Sequence, residues 1–224
     1  MIAEMGVEGI IPSVKIGCFP GYLKFKDNDM NTSFLFLADG FEEIEALTAV
    51  DVLRRAGMDL KTVSITSVLQ VKGAHGVVVT ADLIFDNTLF AQPEWLILPG
   101  GMPGASNLYE FAPLQELLKK QAETSGRIAA ICAAPAVVLG QLGLLDGKDA
   151  TCYPGFEGYL QKSNVKDNAV VVSDNFVLGN GPANALPWAI TIVKEALGEE
   201  VASQVADGML FFSRDADMVD NYYG

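Results

Sequence analysis

Along this chain, apolar runs of strand length alternate with longer stretches of helical period. Phe34-Leu-Phe-Leu-Ala38 is a continuous apolar run, and the segment from about Glu42 to Ala56 repeats its apolar residues at three- and four-residue spacing until Gly57 stops it. That pattern predicts a buried strand followed by an amphipathic helix. Leu60–Ile65 reads as the next strand, and Gly76–Thr80 as a short alternating segment after a turn at Gly73. Trp95-Leu-Ile-Leu98 then runs into Pro99-Gly100-Gly101, with a helix predicted from about Pro113 to Thr124 and a strand over Arg127–Ile131. A helix follows Cys132 and ends near Gly143; strands at Ala150–Cys152, Ala169–Val172 and Phe176–Leu178 precede a helix over Ala185–Leu197. Near-continuous apolar strands alternating with helices imply an α/β fold with a mostly parallel sheet covered on both faces.

The two ends break the pattern. Residues 1–29 mix glycine, proline and isolated apolar residues without a period, and are expected to be an accessory extension or an upstream start read as coding. The folded domain is expected over residues 30–212, followed by a flexible acidic tail at 213–224.

Composition narrows the function. The chain has 224 residues and a formal net charge of −13, with acids and bases interspersed. Such a surface repels phosphate backbones and anionic lipid, so neither nucleic acid nor membrane is expected as the main partner. No apolar run approaches the roughly 18 residues a membrane span needs. The three cysteines, Cys18, Cys132 and Cys152, lack C-x-x-C spacing, which argues against a zinc ribbon or a disulfide scaffold and makes the cytoplasm the expected compartment. His75 is the sole histidine, so no multi-histidine metal site can form. Neither a metal nor a cofactor is expected.

Three segments carry candidate chemistry. In "GRIAAICAAPAVVLG" the thiol of Cys132 stands where a strand turns into a helix, near the unpaired N–H groups of the helix's first turn, which would favour a reactive thiolate. A small apolar core residue is the other reading of that cysteine. In "LILPGGMPGASN", Gly100 and Gly101 let the backbone approach a neighbouring strand end closely, and their amides together with that of Ala133 could form an oxyanion hole; an ordinary turn is the alternative. In "ADGFEEIEALTAVDVLRRAG", Glu42 and Glu43 suit a helix N-terminus and need no further role. Glu45 aligns with Ala49, Val52 and Ala56, while Ile44, Leu47 and Leu53 mark a neighbouring stripe expected to be buried. An inward carboxyl must find a donor or stay protonated, and a neutral Glu45 could pair with a thiolate; an exposed first-turn acid is the bland reading.

As an ordered set, "LADGFEEIEALTAVDVLRRAG", "LILPGGMPGASNL", "IAAICAAPAVVL", "ATCYPGFE" and "EEVASQV" resemble the ThiJ/PfpI superfamily, in the branch of the Parkinson-associated protein deglycase and its bacterial relatives. The resemblance implies a flavodoxin-like α/β sandwich, usually a homodimer. It makes Cys132 the nucleophilic and oxidisable cysteine, Glu45 its protonated partner, and Gly101 and Ala133 the oxyanion amides. The implied substrates are small reactive carbonyl compounds such as methylglyoxal and glyoxal, converted to hydroxy acids without glutathione, or glycated groups. A non-enzymatic oxidative-stress sensor or redox-regulated chaperone is the alternative use of the same cysteine.

The chain departs from the family pattern in places. No histidine follows Cys132, which disfavours peptidase or amidotransferase chemistry. Tyr153-Pro154 replaces a histidine-proline pair, so Tyr153 is a candidate lining residue, and a Tyr153 that points inward sends Cys152 the other way. His75 falls where the family often has an arginine directed at the neighbouring subunit, a minor site role at best. Gly181-Pro182-Ala183-Asn184 replaces the family's Gly-Pro-Gly-Thr, beside the substrate path that the resemblance implies.

Overall fold

The computed structural model describes residues 31–211; the expected N-terminal extension and acidic tail lie outside the described residues. Seven strands form the main sheet, in the order β10-β11-β7-β6-β1-β2-β5. These are β1 (Ser33–Leu37), β2 (Leu60–Ser64), β5 (Leu83–Ile84), β6 (Trp95–Leu98), β7 (Arg127–Ile131), β10 (Val170–Ser173) and β11 (Phe176–Gly179). All neighbours are parallel except β10 and β11, which form an antiparallel hairpin at one edge. Two small two-stranded sheets sit outside it: the hairpin β3 (Gln70–Lys72) with β4 (Val78–Thr80), and β8 (Asp149–Ala150) with β9 (Asn164–Val165).

Side chains alternate across the strands and divide the core in two. Leu35, Leu37, Ile97, Ala129, Ile131 and Val177 face the layer containing α1 (Glu43–Arg55), α4 (Ala185–Leu197) and α5 (Glu199–Gly208). Phe34, Phe36, Leu96, Leu98, Ile128, Ala130, Phe176 and Leu178 face the other side, where Leu114 and Leu118 of α3 (Ala112–Glu123) and Leu108 of α2 (Gly104–Glu110) pack. Both faces are covered, as the alternating pattern predicts, and the arrangement is the flavodoxin-like α/β sandwich that the resemblance implies.

Helix α1 corrects one expectation. Ala46, Ala49, Val52, Leu53 and Glu45 are buried, but Ile44 is 58% and Leu47 41% exposed. At 100° per residue the buried side chains share one arc, and Ile44 and Leu47 fall about 140° and 160° from its middle. An apolar residue is not inward unless it shares the arc. The segment after Cys132 also differs: it is a wide π-type helix over Pro135–Gly140, where Gln141 N–H donates to Ala136 O and Leu144 N–H to Leu139 O. Such turns recur at functional sites because they re-aim the backbone near the helix start.

Candidate active site

The site lies at the carboxyl ends of β6 and β7, where an open parallel sheet exposes its strand-end loops. Strand β7 delivers Cys132, which turns into the helix with φ +63°, in the left-handed region. Such a conformation at a non-glycine residue is uncommon and costs of order 1–3 kcal/mol, so the surrounding packing must enforce it. The Cys132 N–H donates to Gly179 O and its carbonyl accepts the Tyr153 N–H, clamping the residue from both sides. What the strain achieves is aim: the thiol stands off the strand end and receives the backbone N–H groups of Gly101 and Ala133.

Glu45 reaches the same point from the first turn of α1. It is fully buried, Oε2 accepts the Gly100 N–H at 2.8 Å, and Oε1 has no hydrogen-bond partner among the described residues. Its carboxyl lies beside the Cys132 thiol, both side chains crowding Gly100. Gly100 makes the meeting sterically possible. A Cβ there would sit 2.6 Å from the Cys132 Cβ and 2.9 Å from Glu45 Oε2. Gly100→Ala is therefore expected to destabilise the fold by about 1–3 kcal/mol through overpacking, read as a lower midpoint of denaturant unfolding.

Both ionisable groups are displaced upward. Burial pushes Glu45 up to about 7, with the neighbouring Cys132 thiol and the Gly100 N–H opposing, and the nearby Glu42 charge adds to the rise. Burial and the Glu45 charge push the Cys132 thiol up to about 12, with the two amides opposing. Two acids this close cannot both ionise cheaply, so the pair holds one shared proton above neutrality. Burial of the thiol opposes the resting thiolate that the helix N-terminus alone would favour. Desolvation outweighs the donors.

The remaining sequence candidates divide. Gly101 and Ala133 both meet the sulfur, whereas the Gly100 N–H is committed to Glu45. Tyr153 lies on the rim, 44% exposed, with its ring near Gly181 and Phe156. Cys152 is buried in the opposite core layer from Cys132, although β8 ends two residues before it. His75 is not directed at the sulfur: its Nδ1 lies 2.8 Å from Glu43 Oε2, and its backbone N–H donates to Glu43 Oε1 at 2.7 Å. Among the described residues, Glu42, Glu43 and His75 bring potential metal-ligand atoms within 4.8 Å of one another, a grouping these hydrogen bonds already explain. Glu42 stands at the start of α1, as the sequence suggests, and caps it: Glu42 Oε2 accepts the Glu45 N–H at 2.7 Å.

A DJ-1/PfpI family profile matches residues 32–195. The chain belongs to the DJ-1/PfpI family. Protein dj-1beta of Drosophila melanogaster is 35% identical over 181 residues, covering 80% of this chain and 96% of that protein. The glutathione-independent glyoxalase DJR-1.2 of Caenorhabditis elegans is 34% identical, covering 71% of this chain and 84% of its own. Protein DJ-1 homolog B of Arabidopsis thaliana is 36% identical, and the chain spans only 42% of its length. Among solved structures, oxidised Toxoplasma gondii DJ-1 superimposes with a TM-score of 0.78 at 34% identity, covering 81% of this chain and 99% of that one. The DJ-1/PfpI resemblance read from the motifs is thus confirmed. Among the described residues, no helix is long and apolar enough to cross a membrane.

Proposed function

We propose that this protein converts methylglyoxal and related small oxoaldehydes to hydroxy acids without glutathione. The observation that carries the reading is the convergence of the Cys132 thiol, the Glu45 carboxyl and two amides at one buried point. The glyoxalase named among the relatives supports it.

The chemistry follows from the shared proton. As the aldehyde enters, the Cys132 proton passes to Glu45 and the sulfur adds to the aldehyde carbon; the C=O electrons move to oxygen, stabilised by the amides that faced the sulfur. That oxygen takes a proton, giving a hemithioacetal and returning Glu45 to its carboxylate. Glu45 next removes the proton from the sulfur-bearing carbon as the adjacent carbonyl oxygen is protonated, giving an enediol; it then delivers a proton to the adjacent carbon while the hydroxyl on the sulfur-bearing carbon gives up its proton and becomes the thioester carbonyl. One carbon is oxidised as its neighbour is reduced, and the product is a thioester. Water cleaves the thioester, releasing lactate and the thiol. A carboxyl near 7 suits both proton transfers at neutral pH.

Purified protein with methylglyoxal and no glutathione should form lactate; its absence would end this reading. The reactive state is the pair with one proton, so kcat/KM should climb about tenfold per pH unit below about 7 and level off above it. A profile flat from about pH 5.5 to 8.5 would remove Glu45 as the controlling group.

Removal of early glycation adducts, a cytoplasmic location and a homodimer belong to the same proposal. Exposed Ile44 and Leu47 on α1, with Val77 of the neighbouring hairpin exposed as well, are apolar side chains available to a second copy. The sensor reading draws on the same amides, which would equally hold the oxygens of a Cys132 sulfinate. A stable sulfinate in a protein that forms no lactate would favour it.

A further inference from the structure

We infer that Glu42 is a positioning residue for the Cys132–Glu45 pair, holding the acid and the amide loop in one hydrogen-bonded ring and supplying the fixed charge beside them. The inference rests on the pairing proposed above.

The ring has three members drawn from two parts of the chain. Glu42 Oε2 accepts the Glu45 N–H at 2.7 Å, Glu45 Oε2 accepts the Gly100 N–H at 2.8 Å, and Gly100 O accepts the Glu42 N–H at 3.0 Å. Each residue both donates and accepts, so moving one moves the other two. Gly101, whose amide faces the sulfur, is packed on the same spot: a Cβ on it would lie 2.5 Å from the Glu42 nitrogen. Glu42 therefore stands behind both the carboxyl and one oxyanion donor without touching the sulfur.

Its charge is equally well placed. Glu42 is 7% exposed, and its side chain holds the first turn from which Glu45 projects. A carboxylate there disfavours a second one on Glu45 and keeps the acid protonated to higher pH. The groups around this point are the Cys132 thiol from the end of β7, the Gly100 N–H from the loop after β6, and Glu42 and Glu43 from the start of α1. His75, on the hairpin, is 73% exposed, with its Nδ1 4.0 Å from Glu42 Oε1. That imidazole pairs more closely with Glu43, leaving the Glu42 charge facing Glu45.

A plain helix cap would also accept the Glu45 N–H, so the test must separate charge from capping. The rate of Cys132 alkylation by iodoacetamide, followed by mass spectrometry of the Cys132 peptide from about pH 5 to 9, reports the pair's first ionisation without any carbonyl turnover. Wild type should inflect near 7, and Glu45→Gln should abolish the inflection. Glu42→Gln keeps an oxygen for the cap but drops the charge; its inflection should fall by about one pH unit. Glu42→Ala should show the same fall, a lower plateau and a lower Tm. An unmoved inflection in Glu42→Gln, or none in wild type, overturns the inference. A moved inflection with no lactate from wild type overturns the glyoxalase reading alone.

Discussion

Cys132→Ser is expected to fold like the wild type and to lose lactate formation by at least about a thousandfold. The substitution changes one atom in a position whose geometry the surroundings enforce. The φ of +63° is held by the Gly179 and Tyr153 hydrogen bonds, neither of which involves the side chain. A hydroxyl is smaller than a thiol and a better hydrogen-bond partner for a buried carboxylate, so Tm should hold or rise. Reactivity is another matter. Glu45, poised near 7, can take a proton from a thiol that the Gly101 and Ala133 amides help to ionise. It cannot usefully deprotonate an aliphatic alcohol, and the sulfur's polarisability is lost as well. Turnover within tenfold of wild type would move the nucleophile elsewhere. Cys152 is a poor replacement: burial and the Glu157 charge push its thiol up to about 11, and it lies in the other core layer.

Much of this architecture is legible because buried parallel strands leave unbroken apolar runs. Trp95–Leu98 and Arg127–Ile131 form strands over the residues the pattern names, and α4 matches its predicted span from Ala185 to Leu197. Short elements are harder. The alternating Gly76–Thr80 contains the strand Val78–Thr80, but the three residues of its partner Gln70–Lys72 carry too little alternation to read, and α2 is a single seven-residue helix without a side-chain cap. Glu45 is legible because its carboxylate falls on the inward arc of α1. Ile44 and Leu47 mislead because hydrophobicity alone does not fix the arc. The direction of the Cys132 shift is also hidden from sequence: a strand-to-helix turn announces amide donors, whereas the depth of burial and the facing acid appear only when α1 meets β7. The ring that Glu42 closes escapes for a related reason. The partners of Glu42 are a backbone N–H three residues ahead and a carbonyl 58 residues away, and backbone groups leave no mark on a sequence.

Glu45→Gln should eliminate turnover while making the folded protein more stable at alkaline pH. The amide is nearly isosteric, and its oxygen can still accept the Gly100 N–H, so the loop after β6 keeps its place. It cannot accept the thiol proton or carry one between adjacent carbons, so both transfers stop and the rate should drop by at least about 10³-fold. Stability moves the other way because of the linkage. Glu45 has its folded pKa raised from 4.5 to about 7, so the contribution it makes to folding is fully present below about 4.5 and is lost as pH rises through 7. A displacement of that size corresponds to about 3 kcal/mol. The neutral glutamine does not ionise and escapes this loss. At pH 8 the variant should therefore melt several degrees above wild type, while at pH 4.5 the two curves should nearly coincide. A gain of equal size at both pH values would mean that glutamine stabilises by packing rather than by removing a buried charge. No gain at pH 8 would mean that the ionised carboxylate is solvated well enough in the folded state to titrate like an ordinary glutamate, and the proton shared with Cys132 would lose its physical basis.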